Sequence, residues 1–326
     1  MRILITGASG YVGVLLAGHF LADKRVEKII ATDVKTVPDI IFQKHDTKLA
    51  WETGRLEDEC LVKKFMSHLP IDAVIHTAFI IRPGYGRRAR EAERINMKSC
   101  ENIFKFCFEN KVKKLIYFST AAVYGAKPGN VKEHFFKENE PLREDTYPYG
   151  VQKRRVEGML GAMYAKQKPK TKVIVVRPCG ITGPRGQKEA SKKISLISFL
   201  KKFLPLIPEV SEDWTRQFIH EDDLVRAIEL LVFKEIPQKY EVFNLAPHDY
   251  LTANDIAKVL GKKTVRVPHW LMNAAFTALW HITKGMMPTP PGSINFYRYP
   301  INLDGTKITK FGFRYKYGSK EALLAE

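Results

Sequence analysis

Acidic residues are scarce in this chain. Only 35 Asp and Glu stand against 53 Lys and Arg, which leaves a formal net charge of +18. The excess cations gather in KVKK (111–114), KQKPKTK (166–172) and KKISLISFLKK (192–202), a field that attracts anions and, without specificity, nucleic acid or acidic lipid. No aromatic residues are interleaved with them in the manner of a single-strand platform, so specific nucleic-acid binding is not expected. Cysteine is scarce too: Cys60, Cys100, Cys107 and Cys179 form no CxxC and keep no metal-ligand spacing. They read as free thiols in a reducing compartment, and no metal site is expected. No stretch approaches the ~20 apolar residues of a membrane-spanning helix. The opening MRILITG goes straight into a strand pattern without room for a signal peptide, so a cytoplasmic location is expected. There is no internal repeat and no low-complexity linker.

What is present is ordinary globular material, 45% hydrophobic and 27% charged over 326 residues. That length suits a cofactor domain with a smaller lobe. Short apolar runs at 2–6, 28–33, 73–76, 114–119 and 172–177 alternate with helical patterns near 12–22, 58–68, 89–110 and 149–166. The alternation predicts βαβ units and a doubly wound, Rossmann-type parallel sheet in an α/β protein. After Arg177, Pro and Gly punctuate the chain and strands thin out. The expected division is a cofactor domain over 1–177, with about 213–246 returning to it, and a mixed C-terminal substrate lobe over 178–326.

The segment TGASGYVG (6–13) follows the first strand and opens the first helix. Gly7 permits the tight turn, Gly10 lets the backbone approach a pyrophosphate, and Gly13 lets the helix lie close to the strand. Ser9, Tyr11 and Val12 complete the loop, and the amides at the helix start face the phosphate charge. Asp33, 20 residues past Gly13 at the end of the second strand, is placed to hydrogen-bond a ribose hydroxyl pair. It would repel a 2′-phosphate, so NAD is favoured over NADP.

YGVQK puts Tyr149 and Lys153 four residues apart on one helix face. A phenol is a poor base, with an unperturbed pKa of about 10, and a neighbouring ammonium brings it into range for proton transfer. Thr120, beside Ser119 at the end of the fourth predicted strand, supplies a hydroxyl to the same substrate oxygen.

With these motifs the chain resembles the extended short-chain dehydrogenase/reductases, and within them the UDP-glucose 4-epimerase branch of the NAD-dependent epimerase/dehydratase family. Further matching pieces are VIHTAF (74–79), Asn96 in RINMKS, STAAVYG (119–125), RPCGITGP (177–184) and RQFIHEDDL (216–224). The resemblance implies Tyr149 as acid/base, Thr120 as its hydroxyl partner, and Lys153 as the residue that holds the nicotinamide ribose and tunes the tyrosine. It also implies cofactor contacts at Leu56, Ala78, Phe79, Asn96, Ser119, Tyr149, Lys153 and Cys179, with Asn96 also supporting the fourth predicted strand. His76 and His220 match family positions and read as structural.

Three departures bear on the substrate. Arg55 stands where the family has an adenine-binding Asp, leaving that contact to Leu56 and backbone groups. Gly180 replaces an Asn that reaches nucleotide-sugar phosphates, and Arg216 and Arg298 are the candidates for a diphosphate clamp. Ala121 and Ala122 replace the Asp-Glu pair of the dehydratases, which disfavours loss of water. The leading expectation is a small-molecule enzyme acting on a nucleotide sugar as a 4-epimerase, through transient oxidation by bound NAD; a homodimer is compatible with the resemblance. The alternatives are a 3β-hydroxysteroid-type dehydrogenase or carbonyl reductase acting on an apolar alcohol, and a non-catalytic NAD-binding regulator. The intact Thr120–Tyr149–Lys153 set argues against the last. WLMNAAFTALW (270–280) and MMPTPPG (286–292) are unusually apolar. They read as a buried amphipathic helix or, alternatively, as a lid over a lipid-like alcohol with a peripheral membrane contact.

Overall fold

The computed structural model describes residues 1–38, 41, 47–82, 84–185, 205–287 and 289–325. The basic segment 192–202 lies outside the described residues. Five strands of the first half, β1 (Arg2–Thr6), β2 (Lys28–Asp33), β3 (Leu49–Thr53), β4 (Ala73–His76) and β5 (Lys114–Phe118), join β6 (Lys172–Pro178) and a later strand in one sheet. After β6 come β7 (Gly180–Thr182), β8 (Phe218–His220) and β9 (Tyr240–Leu245), the last of which closes the sheet edge. The order is β9-β6-β5-β4-β1-β2-β3, and every neighbouring pair is parallel. This is the doubly wound α/β sheet the alternation predicts.

Alternate side chains of the strands leave on opposite faces, so one run of apolar residues feeds two cores. Ile3 and Ile5 of β1 join the cluster under α1 (Tyr11–Ala22), while Leu4 between them joins the cluster on the other face. That second face is covered by α2 (Glu59–Lys64), α3 (Arg87–Glu109) and α4 (Pro148–Gln167). The helix expected over 58–68 is instead a short α2 followed by a tighter turn at Phe65–His68. Strand β3 escapes the sequence reading because LAWET is a half-buried edge strand without a run of fully buried apolar residues.

Beyond β8, helix α5 (Glu221–Phe233) packs against α1. Helix α6 (Ala253–Val259) builds a small core of its own with Trp214, Leu251 and Leu323. Helix α7 (His269–Ile282) has no buried residue. The buried amphipathic helix expected there is corrected: only His269, Met272, Phe276 and Trp280 are half-buried, and the rest of the helix meets solvent. No described helix is long and apolar enough to cross a membrane.

Candidate active site

The strand order reverses between β1 and β4, and in open parallel sheets the crevice beyond the carboxyl ends of such a pair takes ligands. The glycine loop lies there. Gly7 has φ +69°, and a Cβ on it would meet the Ala78 backbone at 2.7 Å. A Cβ on Gly13 would stand 2.1 Å from the Gly7 carbonyl oxygen, which explains how α1 can start so close to β1. Gly10 is exposed at the N-cap of α1, where no side chain satisfies the first amides of the helix. Asp33 is pinned beside this loop, accepting from the Ser9 amide at 3.1 Å and the Lys35 amide at 3.2 Å. Tyr11 points away from the crevice floor to donate to Glu221 of α5 at 3.0 Å. Open amides, a close backbone and an anchored carboxylate together fit a dinucleotide. Leu56 buries its side chain in the core below the sheet, and its carbonyl accepts from Asn102 at 2.9 Å. Arg55 stays exposed and pairs with Glu57.

The catalytic candidates gather at the ends of β4 and β5. Thr120 caps the turn Ala121–Tyr124, its oxygen accepting from the Ala122 amide at 3.3 Å, and it hydrogen-bonds the Tyr149 side chain. Tyr149 sits in the first turn of α4, with the ring of Phe79 at 5.8 Å and that of Tyr147 at 6.0 Å. Lys153, one turn further, is buried; its Nζ donates to the Phe118 carbonyl at 2.5 Å and lies 3.9 Å from the Phe79 ring centroid. Desolvation brings the Lys153 ammonium down to about 8.

The protein's own groups do not by themselves produce the lowering expected of the ammonium together with a bound nicotinamide. Loss of water around the Tyr149 phenol pushes it up, neighbouring Tyr147 adds to the rise, and the Thr120 hydrogen bond opposes it. The ammonium expected to lower it is engaged by the Phe118 carbonyl, and the Phe79 ring packs against both side chains.

A second correction concerns Asn96. It does not brace the strand at 114–118; its Oδ1 accepts from the Ile80 amide at 2.7 Å, and its Nδ2 donates to the Ile80 carbonyl at 3.1 Å and Gln152 at 2.9 Å. It thereby fixes the loop after β4, which carries Ala78 and Phe79, to helix α4. Ser119 also has its hydroxyl committed, to the buried carboxylate of Glu157. Glu157 in turn takes Arg177 in a two-pronged pair, closest at 2.6 Å, and Arg177 donates to Tyr124 at 2.8 Å. Sequence reasoning missed this network, although Glu157 repeats the four-residue step from Tyr149 to Lys153. His76 is buried between Thr6 at 2.6 Å and Cys100 at 3.2 Å, and desolvation takes it down to about 3. His220 caps α5 by accepting from the Asp222 amide at 3.1 Å.

On the opposite side, Trp214 and Tyr297 stack on each other at 5.8 Å, and Arg216 lies against both, 5.5 Å from Trp214 and 5.2 Å from Tyr297; among the described residues no carboxylate pairs with it. Arg298 is not brought to it, but projects exposed beside the Tyr299 ring at 5.0 Å. Gly180 pairs with Phe218 in the β7–β8 ladder, and a Cβ there would come within 3.1 Å of the Phe218 ring. Cys179 is half-buried, its amide donating to the Leu245 carbonyl at 3.1 Å.

A family model described as the NAD dependent epimerase/dehydratase family matches residues 3–246. A Bacillus subtilis protein described as an uncharacterized UDP-glucose epimerase is 25% identical over 247 residues, covering 72% of this chain and 73% of that one. The dTDP-D-glucose 4,6-dehydratase of Dictyostelium discoideum is 26% identical over 274 residues, covering 79% of this chain and 61% of the relative, so this chain spans less than two thirds of that protein. Among solved structures, the UDP-glucose 4-epimerase of Bifidobacterium longum in complex with NAD+ and UDP shares the fold. Its TM-score is 0.75 at 19% identity, covering 100% of this chain and 96% of that one.

Proposed function

Because the chain belongs to the NAD dependent epimerase/dehydratase family, we propose that it is a 4-epimerase-type enzyme acting on a nucleotide sugar. It is an enzyme of the extended short-chain dehydrogenase/reductase type, and its cofactor is NAD. The observation that carries the finer reading is the hydrogen-bonded Thr120–Tyr149 pair beside Lys153, followed by two alanines instead of acids.

The glycine loop Gly7–Gly13 and Asp33 would hold the dinucleotide, with Ala78 and Phe79 along its path. Bound NAD supplies the hydride chemistry. Thr120 and Tyr149 present two hydroxyls to the substrate oxygen, and the Tyr149 phenol takes and returns the proton of the carbinol. In the free site its raised pKa keeps it protonated, so ionisation of Tyr149 depends on what enters the crevice. Lys153, with a pKa of about 8, retains its charge at neutral pH and is the cation nearest in sequence on that helix face. Arg216, stacked and without a carboxylate partner among the described residues, offers a charge for a diphosphate. Residues 178–326, apart from about 213–246, form the substrate lobe in this reading. Ala121 and Ala122 have no proton to give, which sets the chain apart from its dehydratase relatives.

A second reading, net oxidation of an apolar alcohol, is favoured by one observation: the uncharged, unburied α7 stands against the aromatic side of the crevice through Phe276 and Tyr297, whose rings are 5.4 Å apart.

The test is incubation with UDP-glucose or UDP-galactose and catalytic NAD, and then with secondary alcohols and excess NAD. Sugar interconversion without net NADH is expected. Stoichiometric NADH from an apolar alcohol, with no interconversion, selects the second reading. In either case Tyr149→Phe should lower turnover by about 10²–10⁴-fold while NAD binding persists.

A further inference from the structure

Helix α7, HWLMNAAFTALWHI, contains no Asp, Glu, Lys or Arg. An exposed helix of a globular protein ordinarily turns charged residues to water, and this one turns apolar residues instead. Trp270 is 70% exposed, Ile282 is 79% exposed, and Met286, just past the helix end, is 87% exposed. The inward stripe is spent on two ring contacts, Phe276 with Tyr297 at 5.4 Å and Trp280 with Tyr85 at 6.0 Å.

Cations stand close to this face in the chain. Tyr85 hydrogen-bonds His281 at 2.9 Å, which ties the end of α7 to the loop that runs from β4 into α3. That loop and the helix start expose Arg82, Arg87 and Arg88, and none of the three has an ion pair or side-chain hydrogen bond among the described residues. Some surface arginines elsewhere do find acids, as Arg94 finds Glu91 and Arg155 finds Glu93.

We propose that α7 seats this protein on the surface of an anionic lipid bilayer. Trp270, Ile282 and Met286 enter the boundary between headgroups and acyl chains, and Arg82, Arg87 and Arg88 meet the headgroup phosphates. Charge complementarity decides the occupant: unpaired cations flank an apolar helix on a chain of net charge +18. An amphipathic helix with such neighbours lies in the interface rather than across it, in keeping with the absence of a spanning helix among the described residues. The seat adjoins the crevice, because the same loop carries Phe79 and because Tyr297, which holds α7, also stacks on Arg216. The inference is independent of which alcohol the enzyme oxidises.

The experiment is sedimentation of the full chain with vesicles of phosphatidylcholine alone and of phosphatidylcholine mixed with phosphatidylglycerol. Binding to the mixed vesicles should be at least roughly tenfold tighter, should weaken with salt, and should shift tryptophan emission to the blue. Trp270→Ser with Ile282→Ser should abolish it, and Arg87→Gln with Arg88→Gln should remove most of the preference for the anionic lipid. NAD binding by each variant reports that it is folded; if the first pair fails to fold, Ile282→Ser alone takes its place. No binding by the parent chain, binding that survives loss of the apolar side chains, or a self-association in sedimentation velocity that those substitutions dissolve, would each overturn the proposal.

Discussion

On the cofactor side of the crevice, backbone lies against backbone. Gly13 approaches the Gly7 carbonyl and Gly7 approaches Ala78 so closely that no side chain fits between. On the side proposed to meet substrate, rings do the holding: Arg216 against Trp214 and Tyr297, Phe276 on Tyr297, Trp280 on Tyr85. The first kind of contact leaves almost no latitude in residue type at a few positions. The second accepts many residues, because a ring can be replaced or can tilt. Stability should therefore be concentrated under the cofactor side, and substrate preference should be free to change on the other.

The sharpest way to break this contrast lies beneath β6. Arg177→Met strips the buried Glu157 carboxylate of its two-pronged partner and leaves it only Ser119. Loss of one member of such a pair costs about 3–5 kcal/mol, and urea denaturation should show it; a change under ~1 kcal/mol would place the stability elsewhere. Gly13→Ala comes next. Its methyl group meets backbone oxygen at 2.1 Å, so α1 must shift from β1, at about 1–3 kcal/mol or somewhat more. Thermal unfolding and NAD affinity should fall together.

Acid gives a finer test of the same side. Burial holds His76 neutral down to about pH 3, against an ordinary histidine value of 6.5. Between those values the unfolded chain binds a proton that the folded chain refuses, so stability falls as pH drops through the window, by up to about 1.4 kcal/mol per unit for this one group. His76→Gln should flatten that slope in denaturation curves taken across the window. The smallest effect belongs to α7: Trp270→Ser removes a large side chain that is mostly in water, and unfolding should move by no more than ~0.5 kcal/mol. A large loss there would mean that α7 is part of the folded core after all.

The same contrast explains what could be read from residues alone. The sheet and its glycine loop were legible because parallel strands buried on both faces leave continuous apolar runs, and because a glycine at a close approach has no substitute. Tyr149 and Lys153 were legible as a spacing, but their electrostatics were not: the Phe118 carbonyl that engages the lysine has no signature in sequence. Edge strand β3 lacked a continuous buried run. The Glu157–Arg177 pair joins residues 20 apart, and only the unbroken helical step from Lys153 hinted at it. The solvent exposure of α7 was hidden because an apolar helix reads alike whether it is buried or bare.

Asn96 has a mechanical consequence. Two of its hydrogen bonds clamp the chain at Ile80 and a third ties it to Gln152 of α4, with Phe79 on one side of that point and Tyr85, bound to α7, on the other. Residue 80 is thus a fixed point in the chain between these two rings. A displacement at the Tyr85 end has to be absorbed before that fixed point, or else it reaches the Phe79 ring, which packs against Lys153 and Tyr149. The stiffness of that fixed point, set by one asparagine, therefore governs how far the outer helix and Tyr149, the proposed acid/base, can move independently.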